Sequence, residues 1–372
     1  MVGGGPGAFI GNVHRMAAAL DGQIELVCGA FSSDPIKSKE AGKELFLADD
    51  RVYADFEQMV LKEKELPVGE RMEFVSIVTP NHVHFAPAKL ALENGFDVVC
   101  DKPLSFSLKE AEDLAKIVER TGRIFCLTHN YTGYPMVRQA KAMIADGAIG
   151  TIRKVVVEYP QGWLSTLLES SGQKQAGWRT DPSKSGKAGC IGDIGTHAEN
   201  LAEFITGLEI KELAADLTTF VNGRLLDDDG SVLLRFNNGA KGILFASQIA
   251  VGDENNLRIR IYGETGGLEW QQTEPNTLLV KHADKANEIF RTGGGYLSSN
   301  AQNATRLPAG HPEGYLEAFA NLYKEFAIAS QLRNKGEPYQ ITFPTVKDGV
   351  RGMKFIDAVV ESSNQNAKWT PV

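Results

Sequence analysis

The chain has 372 residues, room for about two domains at roughly 100–200 residues each, and its 42% hydrophobic and 23% charged residues suit a globular protein that buries a core. A formal net charge of -8, with a pI near 5.5, argues against a nucleic-acid partner or an anionic membrane surface, since both call for a basic face. No apolar run approaches the ~20 residues of a membrane span, no signal peptide opens the chain, and Cys28, Cys100, Cys126 and Cys190 form no CxxC pair; the expectation is a cytoplasmic protein with reduced thiols, no disulfide framework and no metal.

The run Gly3-Gly4-Gly5-Pro6-Gly7-Ala8 fits G-x-G-x-x-A and leads into an apolar helix from Ile10 to Leu20. In a βαβ context this is a tight strand-to-helix turn whose helix N–H groups face a pyrophosphate, although glycine loops also simply turn corners. Only Met1 and Val2 precede the loop, where a dinucleotide fold has its central strand, usually about five or six residues long. The natural protein is therefore expected to extend several residues upstream, the alternative being a shortened first strand.

Ile24–Phe31, Phe74–Val78, Asp97–Cys100 and Ile124–Leu127 read as parallel strands, with helices over Val83–Asn94 and Leu108–Thr121, the latter capped by Ser107 with Glu110 completing a capping box. After Ile24–Phe31, where an acid would hold the adenosine ribose, stand Ser32 and Ser33; Asp34, followed by Pro35, is expected to cap the next helix. Lys37 and Lys39 fit either a phosphate contact or a solvated helix face, so this strand end leaves NAD against NADP open. Thr79-Pro80-Asn81-His82-Val83-His84 and Asp101-Lys102-Pro103 follow two adjacent strands at the edge where open α/β sheets bind ligands; taken singly, each reads as a turn or a solvated charge.

Beyond about residue 150 the texture changes. Thr151–Tyr159, Leu213–Thr219, Ser231–Phe236, Lys241–Ala250, Leu257–Tyr262 and Thr277–Lys281 are β-like runs broken by Gly, Asn and Asp, several alternating as a sheet with one solvated face would. Helices near Tyr315–Ser330 and Val346–Ser362 close the chain. The expected architecture is α/β plus α+β: a Rossmann domain over 1–128 and a second domain over 129–372 on a large, mostly antiparallel open sheet. An apolar-patterned sheet face is usually covered, which predicts a homodimer or homotetramer assembled through it. Within the second domain, Asp193 and His197 lie four residues apart on one helical face, a spacing that fits a cap beside a surface histidine as well as a catalytic pair.

Asp101–Pro103 together with the glycine-flanked Asp193-x-x-x-His197 resembles the glucose–fructose oxidoreductase / inositol dehydrogenase / MocA family. Supporting matches are the glycine loop, the run Thr79–His84, Trp178-Arg179 and the late helix, so the resemblance spans nearly the whole chain. It implies a nicotinamide-dependent oxidoreductase that moves hydride between NAD, or NADP, and a secondary hydroxyl or ketone of a sugar, inositol or related polyol. Lys102, Asp193 and His197 are then the catalytic group, and the Lys102–Pro103 bond is expected to be cis. The cofactor contacts expected are Gly3, Gly5, Pro6, Gly7, Ala8, Phe9 and Ile10; Ser32 and Ser33; Thr79, Pro80, Asn81 and His84; Asp101 and Lys102; and Asn130, Trp178 and Arg179. Substrate contacts expected are Lys102, Tyr131, Arg179, Asp193, His197 and His311, although Tyr131, Trp178 and Arg179 fit packing roles equally and His311 a helix cap. Two departures stand out: the family's usual Glu-Lys-Pro is Asp-Lys-Pro here, and the ribose-binding acid is missing. Two other readings are a bound-NAD enzyme that uses transient oxidation for glycoside cleavage or elimination, and a non-catalytic sugar or nucleotide sensor.

Overall fold

Val2–Gly3 (β1), Phe74–Val78 (β2), Asp97–Cys100 (β3) and Phe125–Leu127 (β4) pair in parallel, in the order β1-β2-β3-β4. Every residue of β3 and β4 is buried, as helices on both faces of a parallel sheet require. The computed structural model describes Met1 to Val372 as two units: Met1–His129 with Phe319–Val350, and Asn130–Ala318 with Arg351–Val372. Between the strands of the first unit run α1 (Phe9–Ala19), α2 (Pro35–Glu44), α3 (Phe56–Glu65), α4 (Phe85–Glu93) and α5 (Leu108–Thr121). α5 begins where its capping residues predict: Ser107 Oγ accepts from the Glu110 N–H at 3.3 Å, and Glu110 accepts from the Phe106 N–H at 3.1 Å.

One strand is shorter than its sequence suggests. Of Ile24–Phe31 only Gly29 and Ala30 form bridges, to Val52 and Val2. The paired part is what lies opposite Met1–Gly3, through Ala30 N–H to Met1 O and Gly3 N–H to Ala30 O, both 2.9 Å.

β3 opens on a buried acid that ties the unit together. Asp97 accepts from the guanidinium of Arg333, from Ser330 Oγ at 2.9 Å and from the Ile124 N–H at 2.9 Å. Removing one partner of a buried pair leaves the other charged and unsatisfied, so Asp97→Ala is expected to destabilise this unit by about 3–5 kcal/mol. Thermal denaturation should show its transition moved down by several degrees; an unchanged curve contradicts the assignment.

The second unit carries nine strands: Lys154–Pro160 (β5), Ile210–Thr218 (β6), Asp229–Phe236 (β7), Lys241–Ser247 (β8), Arg258–Tyr262 (β9), Gly266–Gln271 (β10), Thr277–His282 (β11), Glu288–Arg291 (β12) and Thr370–Pro371 (β13). Their order is β12-β11-β10-β9-β5-β8-β7-β6-β13, antiparallel throughout except for β5 beside β8. Alternation sets the faces: Val155, Val157 and Tyr159 of β5 are buried, as are Val232 and Leu234 of β7; helix Thr196–Thr206 packs against β5 and β8, and Pro135–Ala145 (α6) against β10 and β11. Three strands have no reading in the sequence. β10 opens on two glycines, β12 is a short, largely exposed edge, and β13 is two residues long.

Candidate active site

The glycine loop is fixed from two sides. Gly5 N–H donates to Phe31 O at 3.0 Å, and Arg15 of α1 donates to Gly4 O at 2.9 Å. Gly4 has φ +77°, and a Cβ on Gly11 would lie 2.4 Å from Gly4 Cα, so α1 crosses the loop at a distance only glycine permits. No side chain caps α1 and no acid stands in its first turn. Its first N–H groups, with the positive end of the helix dipole, suit a pyrophosphate. Beside the loop, Thr79 Oγ1 at the end of β2 is buried without a protein partner, an acceptor or donor left for a ligand. The residues present therefore fit a dinucleotide.

At the neighbouring strand ends, Asp34 accepts from the N–H groups of Ile36 and Lys37 and so caps α2, as the following proline predicts, while Ser33 stands exposed. His84, expected among the cofactor contacts, has both ring nitrogens engaged by protein: Nδ1 lies 2.8 Å from Pro103 O and Nε2 2.8 Å from Thr79 O. Burial pushes the pKa of this imidazole down, against Asp101 and the two carbonyls, which favour the charged ring. The residue ties the end of β2 to the turn after Lys102. The Lys102–Pro103 bond is cis. Burial alone raises the pKa of Asp101, yet His14, Lys102 and His84 hold it well below the usual carboxylate range.

In the second unit Asp193 lies in a π-helical turn, Ile191–Gly195, that runs into helix Thr196–Thr206. Asp227 anchors the turn by accepting from Gly189 N–H at 2.6 Å and Ile191 N–H at 2.8 Å. Asp193 accepts from Arg179 Nε at 3.1 Å and from Gln248 Nε2 at 2.9 Å, and Arg179 stacks over Trp178 with its guanidinium 4.3 Å from the ring centre. His197, one turn on and buried, meets the Tyr131 ring edge-on with centroids 4.8 Å apart. Tyr131 Oη bonds Tyr159 Oη; Tyr159 donates to Asn255 Oδ1 at 2.7 Å, and Asn255 Nδ2 donates to Tyr131 Oη at 3.1 Å. Gln161 donates to the same Asn255 oxygen at 2.6 Å. Burial raises the pKa of both phenols, so both keep their protons.

The second unit thus gathers Tyr131, Trp178, Arg179, Asp193 and His197, and adds Tyr159, Gln161, Gln248 and Asn255, which sequence reasoning missed. Inward parity along β5 marks Tyr159 and Gln161 as buried; no motif marks Gln248 or Asn255. Asn130 is buried, with Nδ2 lacking a protein partner, whereas His311 is exposed, its Nδ1 3.1 Å from Pro308 O.

Comparison with known proteins bears on both units. Residues 1–131 match the model of the oxidoreductase family with an NAD-binding Rossmann fold, and residues 137–269 match the GFO/IDH/MocA C-terminal domain. An inositol dehydrogenase homolog from Azotobacter vinelandii, solved with NAD+, is 36% identical and superposes with a TM-score of 0.95 over 100% of this chain and 96% of that one. An oxidoreductase from Sinorhizobium meliloti is 48% identical, with a TM-score of 0.89 over 99% and 98% of the two chains. Levoglucosan dehydrogenase of Pseudarthrobacter phenanthrenivorans is 27% identical over 100% of this chain and 97% of its own. With two family models matched in tandem and relatives aligned end to end, the chain belongs to the glucose–fructose oxidoreductase / inositol dehydrogenase / MocA family of oxidoreductases, and its Rossmann domain binds NAD.

Proposed function

We propose that the protein is an NAD-dependent dehydrogenase acting on a secondary hydroxyl of a sugar, inositol or related polyol. The observation that carries this reading is the setting of His197. One turn from an Asp193 held by two donors, it lies against a cluster of two buried tyrosines, Tyr131 and Tyr159, and the half-buried Asn255, whose phenols and amide suit a polyhydroxylated ring. His197 takes the hydroxyl proton as general base, and Asp193, fixed by Arg179 and Gln248, orients it. Lys102, at the end of β3, donates to the developing alkoxide. The loop Gly3–Ala8, the start of α1 at Phe9 and Ile10, and Thr79 hold the cofactor, with Ser32, Ser33, Pro80, Asn81, Asn130 and Trp178 assigned to its surroundings. When bound, NAD supplies the hydride acceptor. Inositol and levoglucosan, named for two relatives, head the substrate candidates.

Incubating the protein with a panel of sugars and polyols and either NAD+ or NADP+, and following reduced cofactor by absorbance, tests this. Accumulation of NADH with at least one polyol is expected. Product formed without net NADH marks the transient-oxidation chemistry instead, and silence across the panel, with NADH still bound, marks a sensor.

No helix is long and apolar enough to cross a membrane, and all four cysteines are buried thiols; we place the protein in the cytoplasm. We also assign it a homo-oligomer formed through the open sheet face. Leu233 of β7 and Ile243 of β8 are directly paired there and remain 51% and 37% exposed, which puts apolar side chains together at the middle of a large sheet. Light scattering at micromolar concentration should give a multiple of 40.5 kDa; the monomer mass alone overturns this.

A further inference from the structure

The buried face of α1 carries a histidine that the hydride chemistry above does not use. We propose that His14 is a positioning residue for Lys102: it ties the acid before the lysine to the helix that follows the glycine loop, so that filling the loop is transmitted to the lysine. His14 is fully buried, and four elements converge on it. Its Nδ1 lies 2.6 Å from Tyr323 Oη, which is 2.8 Å from Ser76 Oγ in the middle of β2. Its Nε2 faces Asp101 Oδ1 at 3.8 Å and has no nearer protein partner. The same carboxylate oxygen accepts from Thr128 Oγ1 at the end of β4, at 3.0 Å. Phe319 packs edge-on against the ring at 4.6 Å.

This geometry selects one arrangement of protons. A lone pair on Nε2 would face an ionised carboxylate, whereas an N–H there is attracted to it. An N–H at Nε2 is therefore directed at Asp101; in the neutral ring Nδ1 then accepts from the Tyr323 hydroxyl, and Tyr323 accepts from Ser76. The result is a directed chain, Ser76 to Tyr323 to His14 to Asp101, that ends one residue before Lys102. At its other end α1 is locked to the loop by Gly11 against Gly4 and by Arg15, next to His14, on Gly4 O. A shift of α1 on cofactor binding therefore moves the imidazole that Asp101 faces. Thr128 fixes the Asp101 carboxylate by a hydrogen bond, the His14 imidazole faces it at 3.8 Å, and the Asp101 backbone N–H is bonded to Ile77 O at 2.9 Å. Loss of the histidine leaves the lysine segment anchored to the sheet but uncoupled from the loop.

The test contrasts His14→Gln, whose amide N–H stands where Nε2–H stood, with His14→Asn, whose shorter amide reaches Tyr323 and not Asp101. Amide hydrogen exchange over residues 98–104, with and without saturating NADH, requires no substrate. NADH should protect this segment in the parent and in His14→Gln, and protect it much less in His14→Asn, with NADH affinity within about threefold in all three. Where the polyol panel yields a substrate, which rests on the dehydrogenase reading, kcat should fall about 10- to 100-fold in His14→Asn with KM little changed, and largely recover in His14→Gln. Full NADH-induced protection in His14→Asn overturns the proposal. Equal impairment of the two variants at equal melting temperature overturns it as well, because that outcome assigns the ring to packing alone. Failure of the parent with every polyol counts against the dehydrogenase reading, and the exchange contrast still decides the role of His14.

Discussion

Lys102→Met should lower kcat by about 10²–10³, the cost of removing one donor aimed at a developing oxyanion. His197→Ala should lower it by about 10²–10⁴, the usual range for losing a positioned general base. Both variants should bind NADH within several-fold of the parent. Methionine keeps the unbranched stem of the lysine, so packing at the end of β3 survives and only the charge and the donor are lost. Lys102 is flanked by Asp101, which accepts from Thr128, and by Pro103, whose carbonyl contacts His84, so its neighbours anchor the backbone that presents it. His197 lies in the helix that follows the turn anchored by Asp227, whose hydrogen bonds to Gly189 and Ile191 need no imidazole. Single-turnover rates with a verified polyol, beside NADH titrations, separate chemistry from binding. Near-parent rates in either variant remove that residue from the mechanism.

What could be read from the sequence followed the range of the interaction that fixes each feature. α5 was legible at both ends because its cap and its closing glycine are local: Ser107 bonds three residues on, and Gly122 takes φ +61°. Asp34 was legible as a cap for the same reason. The strand over 24–31 was overread because periodicity reports a tendency to pair, whereas bridges need a neighbour, and only Gly29 and Ala30 have one. In the candidate site, Asp193 and His197 were visible as a spacing, and Lys102 through its flanking Asp and Pro. Gln248, Tyr159 and Asn255 were not, since they reach the site from just past β8, from β5 and from a loop, 28 to 124 residues away from their partners. His14 escaped for a related reason. On its helix it is an apolar-face histidine like many others, and its meaning comes from Tyr323, which lies 309 residues on.

The glycine that sequence reading passed over, Gly11, gives the second large effect. Gly11→Ala should raise the Kd for NADH about tenfold or more. Helix propensity points the other way, since alanine within a helix is worth up to about 1 kcal/mol over glycine. The close approach decides against it. The new Cβ would stand 2.4 Å from Gly4 Cα and 3.1 Å from Gly4 O, and both are backbone atoms that no rotamer change can move. Gly4 itself is held at φ +77° with its carbonyl bonded to Arg15, so relief requires α1 to tilt off the loop. Overpacking of this kind costs about 1–3 kcal/mol. Here the displaced atoms are the loop and the first turn whose N–H groups would face the pyrophosphate, so the cost falls on cofactor binding as well as on stability. NADH titration by fluorescence or calorimetry, with thermal melts alongside, reads both without any substrate. If Gly11→Ala binds NADH like the parent and melts higher, helix propensity has won and the loop is not packed as described.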